Sequence, residues 1–362
     1  MDDPIEEQNE ELNKEEGTSS ESLQTNIETP VDPTVEPSVI STLTNRIDIE
    51  PFTKKLNEIQ AEAAKVLIGQ EDLIELMLIS IICGGHILLE GVPGIAKTLS
   101  ANVMAKTLDT KFTRIQFTPD LMPSDIIGTS VFDMKTSEFS FISGPIFSNI
   151  VLIDEINRSP AKTQSALFEV MEEKQITFDG TTYPMQFPFF VVATQNPIEQ
   201  EGTYRLPEAQ LDRFLMKIKL GYPKLEDEIK IINRFKNTNQ KNLSKSIKKI
   251  IKKKTLKELM DIANQIHISD QMTTYAAQIV HATREHGKIY LGGSPRASLA
   301  LINTAKVAAI LAERDFMTPD DIKYMAPFIL NHRIILTPEA EMEGLTEEEV
   351  IQELLETIEV PR

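Results

Sequence analysis

One ten-residue stretch constrains this chain more than any other feature. "GVPGIAKTLS", Gly91 to Ser100, lies between a short apolar run, "HILLEG", and a segment with helical spacing, "TLSANVMAKTLD". It matches the pattern G-x-x-x-x-G-K-[ST] except at Ala96, where the pattern has glycine. A strand that turns into a helix through such a loop aims backbone N–H groups and a helix N-terminus at phosphate oxygens, so side chains must stay clear while the donors remain. Gly91 and Gly94 are expected to supply the turn, with Ile95 following them. Position 96 starts the helix, where alanine should be comfortable: it keeps its N–H and adds only a methyl group. Lys97 would reach the β- and γ-phosphates and Thr98 would offer its hydroxyl to Mg²⁺. Taken alone, the motif reads equally well as a structural strand-turn-helix.

Two further apolar runs bear on that choice. "NIVLIDEINR" places Ile150 to Ile153 directly before Asp154 and Glu155, the pattern of a buried parallel strand that delivers two carboxylates at its C-terminal end, where ligands bind in open α/β sheets. Asp154 would hold magnesium through water, and Glu155 would orient or deprotonate an attacking water for in-line phosphoryl transfer. The alternative is a strand followed by a solvated acidic pair. "PFFVVATQNP" ends in Gln195 and Asn196 before Pro197; Asn196 could bond the γ-phosphate or the lytic water, or simply form an Asn-Pro turn.

Composition limits the setting. The 362 residues suffice for one large or two moderate domains, and the single cysteine, Cys83, excludes a disulfide framework and suits core packing. No apolar run approaches the ~18 residues of a membrane-spanning helix, and the acidic start is unlike a secretory signal, so a cytoplasmic protein is expected. The net charge of −18 belongs to the ends: residues 1–50 hold 14 acidic and 2 basic side chains, and residues 339–362 hold 9 acidic and 1 basic. Residues 1–45, rich in Glu, Ser, Thr, Asn and Pro, read as an acidic disordered tail, serving either solubility or a partner. The five histidines show no spacing suited to zinc.

Beyond Tyr222 the spacing is helical throughout, in runs such as "LEDEIKIINRF", "TLKELMDIANQIHI" and "SPRASLALINTAKVAAILAERD". Ser294-Pro295-Arg296 reads as a helix start with Ser294 as N-cap, so Arg296 projects from a helix N-terminus. Arg213 follows Asp212, and a local ion pair is its simplest reading. Val131, Phe132, Phe139 and Phe141 around residues 135–137 suggest one β-hairpin, and "QITFDGTTYPMQF", turning at Asp179-Gly180, a second; whether they extend the main sheet stays open. Lys236 to Lys257 holds nine lysines and no acidic residue, a solvated face or a track for nucleic-acid phosphates.

The phosphate loop, the "VLIDE" strand and the "VVATQNP" strand together resemble the AAA+ ATPases. The runs "GGHILLEGVPGIAKTL", "QFTPDLMPSDIIG", "GPIFSNIVLIDEINRSPAKTQSALFEVMEEKQITFDG" and "VVATQNPIEQEGTYRLPEAQLDRFL" resemble the MoxR family, over roughly residues 55–335. The resemblance implies an α/β P-loop nucleotide-binding core with a five-stranded parallel sheet; the helical spacing beyond the turn signal Gly221-Tyr222-Pro223 divides a core at 46–222 from an α-helical lid at 223–335, and charge marks an acidic C-terminal segment at 336–362. It implies that Lys97 and Thr98 are the Walker A pair, Asp154 and Glu155 the Walker B pair, Asn196 sensor 1, Arg213 the arginine finger and Arg296 sensor 2. Alanine at position 96 is usual for the family, whereas Arg205 stands where proline is expected and puts the local interface loop in question. The implied activity is ATP hydrolysis with Mg²⁺ in a homo-hexameric ring that remodels or matures client proteins, typically alongside a von Willebrand factor A domain protein. A nucleic-acid-stimulated motor using residues 236–257 is the alternative, and a nucleotide-binding scaffold without turnover is disfavoured by Glu155.

Overall fold

Five of the apolar runs become one parallel sheet in this computed structural model, which describes residues 48–135, 137–197, 202–236 and 246–361. The tail expected over residues 1–45 lies outside the described residues, as do residues 237–245 of the lysine-rich segment. In chain order the elements are α1 (Glu50–Ala63), α2 (Glu71–Ile82), β1 (Ile87–Gly91), α3 (Lys97–Thr107), β2 (Phe112–Gln116), α4 (Pro123–Ile127), β3 (Gly128–Asp133), β4 (Glu138–Ser143), β5 (Ile150–Asp154), α5 (Ala161–Glu173), β6 (Gln175–Phe178), β7 (Thr181–Pro184), β8 (Phe190–Gln195), α6 (Glu208–Leu211) and β9 (Met216–Leu220). They continue with α7 (Leu225–Phe235), α8 (Lys253–Gln265), α9 (Asp270–Glu285), β10 (Ile289–Leu291), α10 (Pro295–Leu311), α11 (Pro319–Leu330), β11 (Ile335–Leu336), α12 (Pro338–Met342) and α13 (Glu347–Thr357).

The sheet order is β2-β5-β8-β1-β9, and every neighbouring pair is parallel. Parallel strands covered on both faces read as unbroken apolar runs, and all five residues of β5 are buried. The two-residue period then splits the core. Ile87, Leu89, Leu152 and Val192 face one cluster, shared with α1, α2, α3 and the helices beyond residue 253; Leu88, Val151, Ile153 and Val191 face another, closed by Leu167, Phe168 and Met171 of α5. Beyond its acidic first turn, helix α2 carries no polar stripe, because it touches α1, α3, α8 and α10. Nine of its residues between Leu73 and Ile82 are buried, and each large apolar side chain contributes roughly 1.5–3 kcal/mol on leaving water, so this short helix anchors the α-helical region to the core.

Both hairpins form, and neither extends the main sheet: β3–β4 and β6–β7 are separate two-stranded ribbons. The second turns where Asp179 and Gly180 both take positive φ, +49° and +73°, the requirement that makes Asp-Gly a hairpin signal. Phe141 of β4 stacks on Tyr183 of β7 with ring centroids 4.5 Å apart, joining the ribbons. Beyond Tyr222 the expectation of purely helical structure needs one correction. Ile289–Leu291 and Ile335–Leu336 pair as an antiparallel ribbon, too short to impose a visible period of two. The acidic segment after residue 336 is folded. Thr346 and Glu349 form a capping box, and Val350, Ile351, Leu354 and Leu355 bury one stripe of α13 in the core beneath its acidic face.

Candidate active site

The C-terminal ends of β1, β5 and β8 meet the N-terminus of α3 in a cleft of about 310 Å³, lined by Gly94, Ala96, Lys97, Thr98, Asp154, Glu155 and Asn196 among others. Three segments separated by up to a hundred residues are brought together because parallel strands send their chains to the same sheet edge. Gly94 makes the turn, with φ at +88° and nothing within 4 Å of where a side chain would start. Gly91 acts differently: a Cβ there would stand 2.6 Å from Ile95 and 2.7 Å from the Leu220 carbonyl, so its hydrogen lets the loop lie against β9. Ile95 lies outside this cleft, in the wall of the adjoining pocket.

The expectation that alanine is comfortable at position 96 is overturned. Ala96 is the N-cap of α3 but sits at φ +63°, ψ +18°, in the left-handed region, where an L-residue costs roughly 1–2 kcal/mol. The pattern prefers glycine there because of this backbone conformation, and alanine bears the strain. Gln70 holds the strained loop from outside: its Nε2 donates to the Ile95 carbonyl at 2.7 Å and its Oε1 accepts from the Ser100 hydroxyl at 3.2 Å. Lys97 Nζ donates to the Gly91 carbonyl at 2.6 Å, folding back over the loop. Burial pushes the Lys97 ammonium below its usual pKa, against the pull of Asp154, Glu155 and Glu90.

The two carboxylates are held by neighbours that the motifs do not include. Asp154 is buried; its Oδ1 accepts from the Thr194 hydroxyl at 2.9 Å and its Oδ2 from Arg114 Nε at 2.6 Å. The same Thr194 oxygen accepts from the Glu155 backbone N–H at 3.0 Å, so one hydroxyl ties both positions to β8. Glu155 takes φ +57°, a second left-handed residue at this sheet edge, and strain of this kind concentrates at functional sites. Its Oε2 accepts from Gln116 Nε2 at 2.7 Å and pairs with Arg158 Nε at 3.2 Å. Arg114 and Gln116 escaped the sequence reading, yet a signal was present: they are the polar members of the alternation "FTRIQF" in β2, which pairs with β5 in a register setting Gln116 opposite Asp154.

Arg213 and Arg296 are elsewhere. They line a second pocket of about 230 Å³ together with Glu172, Asp212 and Arg333, and neither lines the cleft with Lys97. Arg213 pairs with Glu172 and donates to the Phe168 carbonyl at 3.0 Å. Arg296 reaches Glu172 at 3.2 Å and Asp212 at 3.7 Å. The Asp212–Arg213 pair suggested by their adjacency does not form, because Asp212 turns to Arg333, whose Nε donates to it at 2.7 Å. Ser294 occupies the N-cap position of α10, but its hydroxyl reaches Asp212 at 3.5 Å and does not cap the helix. Arg205 is exposed, 3.9 Å from Glu208.

A third pocket of about 480 Å³ adjoins the phosphate loop, walled by Val66, Leu67, Ile68, Tyr222, Pro223 and Ile231 among others and sharing Gly94, Ala96 and Leu99 with the cleft. His86 and Cys83 serve packing. His86 Nδ1 accepts from the Val191 N–H at 3.0 Å while Nε2 donates to the Met171 carbonyl at 3.1 Å, and burial lowers its pKa to about 4. Burial pushes the Cys83 thiol up to about 12. Where described, the lysine-rich segment is pinned by buried Ile247 and Ile251, and Lys249 pairs with Asp109 at 2.6 Å. Among the described residues, no helix is long and apolar enough to cross a membrane.

Comparisons with known proteins identify the family. Residues 86–216 match the model of the ATPase family associated with various cellular activities (AAA), and residues 281–354 match the AAA lid domain. A Bacillus subtilis protein of uncharacterised function, YeaC, is 44% identical over 87% of this chain and 96% of its own length. Chaperone MoxR1 of Mycobacterium tuberculosis is 43% identical over 83% of this chain and 81% of its own. The crystal structure of a Cytophaga hutchinsonii protein, assigned rather than demonstrated to be an ATPase, superposes with a TM-score of 0.81 at 47% identity, covering 87% of this chain and 97% of that one. The chain belongs to the MoxR family of AAA+ ATPases.

Proposed function

We propose that this chain hydrolyses ATP with Mg²⁺ in a homo-hexameric ring and uses the work to remodel or mature a partner protein. One observation carries the reading: Lys97, Thr98, Asp154, Glu155 and Asn196 share a single cleft at the carboxyl edge of three adjacent parallel strands. The cleft fits the substrate. Gly94 leaves the loop backbone open to approach, the α3 N-terminus presents unpaired N–H groups, and the neighbouring apolar pocket accepts a flat base. Thr98, and Asp154 through water, are the residues that would hold magnesium, which when bound neutralises charge on the β- and γ-phosphates.

In this reading Lys97 exchanges the Gly91 carbonyl for phosphate oxygens. Glu155, held by Gln116 and by its own strained backbone, takes the proton of the attacking water, and Asn196 orients that water. Arg213 and Arg296, standing outside the cleft, contact the nucleotide of the neighbouring subunit. The division into a core over residues 46–222, a lid over 223–335 and a C-terminal segment over 336–362 is part of the proposal, as is a von Willebrand factor A domain protein as working partner, which the family resemblance implies.

Glu155→Gln tests it. The amide keeps the shape and loses the base, so turnover should fall by roughly 10²–10⁴ while ATP affinity stays within about threefold. Normal turnover in this variant would place the base elsewhere. Adding DNA or RNA at low salt should leave the wild-type rate unchanged; stimulation would favour a nucleic-acid motor instead.

A further inference from the structure

The segment that carries Arg213 is gripped from the far end of the chain. Asn331, His332 and Arg333, consecutive at the C-terminal end of α11, are all buried. Each donates to the stretch that runs from the end of α6 into β9. Asn331 Nδ2 reaches the Lys217 carbonyl at 3.1 Å, and His332 Nε2 reaches the Phe214 carbonyl at 3.1 Å. Arg333 does most. Its Nε donates to Asp212 Oδ1 at 2.7 Å, its Nη2 to the carbonyls of Asp212 at 3.3 Å and Phe214 at 2.6 Å, and its Nη1 to those of Leu215 at 3.0 Å and Ile329 at 2.6 Å. The backbone is thereby held on both sides of Arg213.

A guanidinium this deeply buried, with its side chain 3% exposed, is a weak device for stability alone, since apolar residues of similar volume commonly do as well or better. Its planar fork is suited to fixing geometry. Two consequences follow from where it points. Arg213 projects from a backbone whose carbonyls at 212, 214 and 215 are all tied to one group. Asp212, oriented by Arg333, offers its other oxygen to Arg296 at 3.7 Å and to the Ser294 hydroxyl at 3.5 Å.

We propose that Arg333 is the positioning residue for Arg213 and Arg296, holding the strap 212–215 from the end of α11 so that both guanidiniums are presented to the neighbouring subunit's nucleotide. Arg333 touches no nucleotide itself. The inference rests on the proposed ring mechanism, in which Arg213 acts on the adjacent subunit.

The experiment compares Arg333→Lys with wild type in the full chain. Lysine keeps the charge and loses the fork, so kcat should fall by roughly 10- to 100-fold while KM for ATP moves less than about threefold. Mixing this variant with Glu155→Gln should restore activity, because mixed interfaces pair an intact Glu155 on one chain with an undisturbed strap on the next. Arg213→Ala mixed with Glu155→Gln is the control. Rescue in both mixtures supports the proposal. Rescue in the control alone, with Arg333→Lys melting and assembling as wild type does, would make Arg333 a structural staple and overturn it. Rescue in neither would overturn the trans mechanism and the proposal with it. If Arg333→Lys does not fold, Arg333→Gln takes its place: it keeps amide donors for the strap carbonyls but loses the fork, and an unchanged kcat would likewise overturn the proposal.

Discussion

The phosphate cleft and the arginine pocket are built in opposite ways. The cleft's defining groups stand at one sheet edge, with Asp154, Glu155 and Asn196 at or one residue past the ends of β5 and β8 and Lys97 and Thr98 at the head of the helix that follows β1; its two strained residues, Ala96 and Glu155, lie at the same edge. The pocket draws Glu172 from α5, Asp212 and Arg213 from the turn before β9, Arg296 from the first turn of α10 and Arg333 from beyond α11. In the cleft, charge is arranged around a place where phosphates fit. In the pocket, three guanidiniums share two carboxylates, leaving a surplus of positive charge. On the proposed ring mechanism, the cleft and the arginine pocket, which share no lining residue, would supply the two halves of one interfacial active site.

The cleft and the pocket should fail differently. The largest effect is expected in the pocket: Arg213→Ala should lower kcat by roughly 10³–10⁵ while ATP still binds, the range seen when an arginine finger is lost. A loss of affinity equal to the loss of rate would place Arg213 in its own chain's binding site and erase the distinction. In the cleft, Lys97→Ala removes a charge-assisted contact to phosphate and should weaken ATP binding by roughly 10- to 100-fold. Calorimetry showing unchanged affinity would mean that the loop does not cradle phosphate.

The smallest effect sharpens the cleft alone. Ala96→Gly relieves a left-handed alanine, roughly 1–2 kcal/mol, but gives the unfolded chain more freedom, roughly 0.5–1 kcal/mol. The melting temperature should therefore rise by at most a few degrees and turnover should stay within about threefold. A tenfold drop in turnover would show that the restricted backbone at position 96 shapes the loop.

The same contrast governs what could be read from the sequence. Lys97, Thr98, Asp154, Glu155 and Asn196 were legible because each follows an apolar run whose end marks the sheet edge, so local pattern carried three-dimensional information. Arg114 and Gln116 were not, because their partners across the β2–β5 register lie about forty residues away. Ala96 misled because propensity at a helix start says nothing of φ at the residue before its first turn. Asp212 beside Arg213 suggested a pair that Arg333, more than a hundred residues on, takes instead. The stripe of Val350, Ile351, Leu354 and Leu355 has ordinary helical spacing, but the six glutamates of residues 347–359 mask it in composition.

The most direct test of the two-halves account is a mixing experiment between chains broken in different halves. Arg213→Ala and Glu155→Gln should each be nearly inactive alone while binding ATP, and light scattering should confirm that both assemble and exchange subunits. ATPase activity should rise to a maximum at intermediate mixing ratios, because only mixed rings place an intact Glu155 next to an intact Arg213. A flat, inactive profile from rings shown to be mixed would contradict it, and would return Arg213 and Arg296 to their own chain.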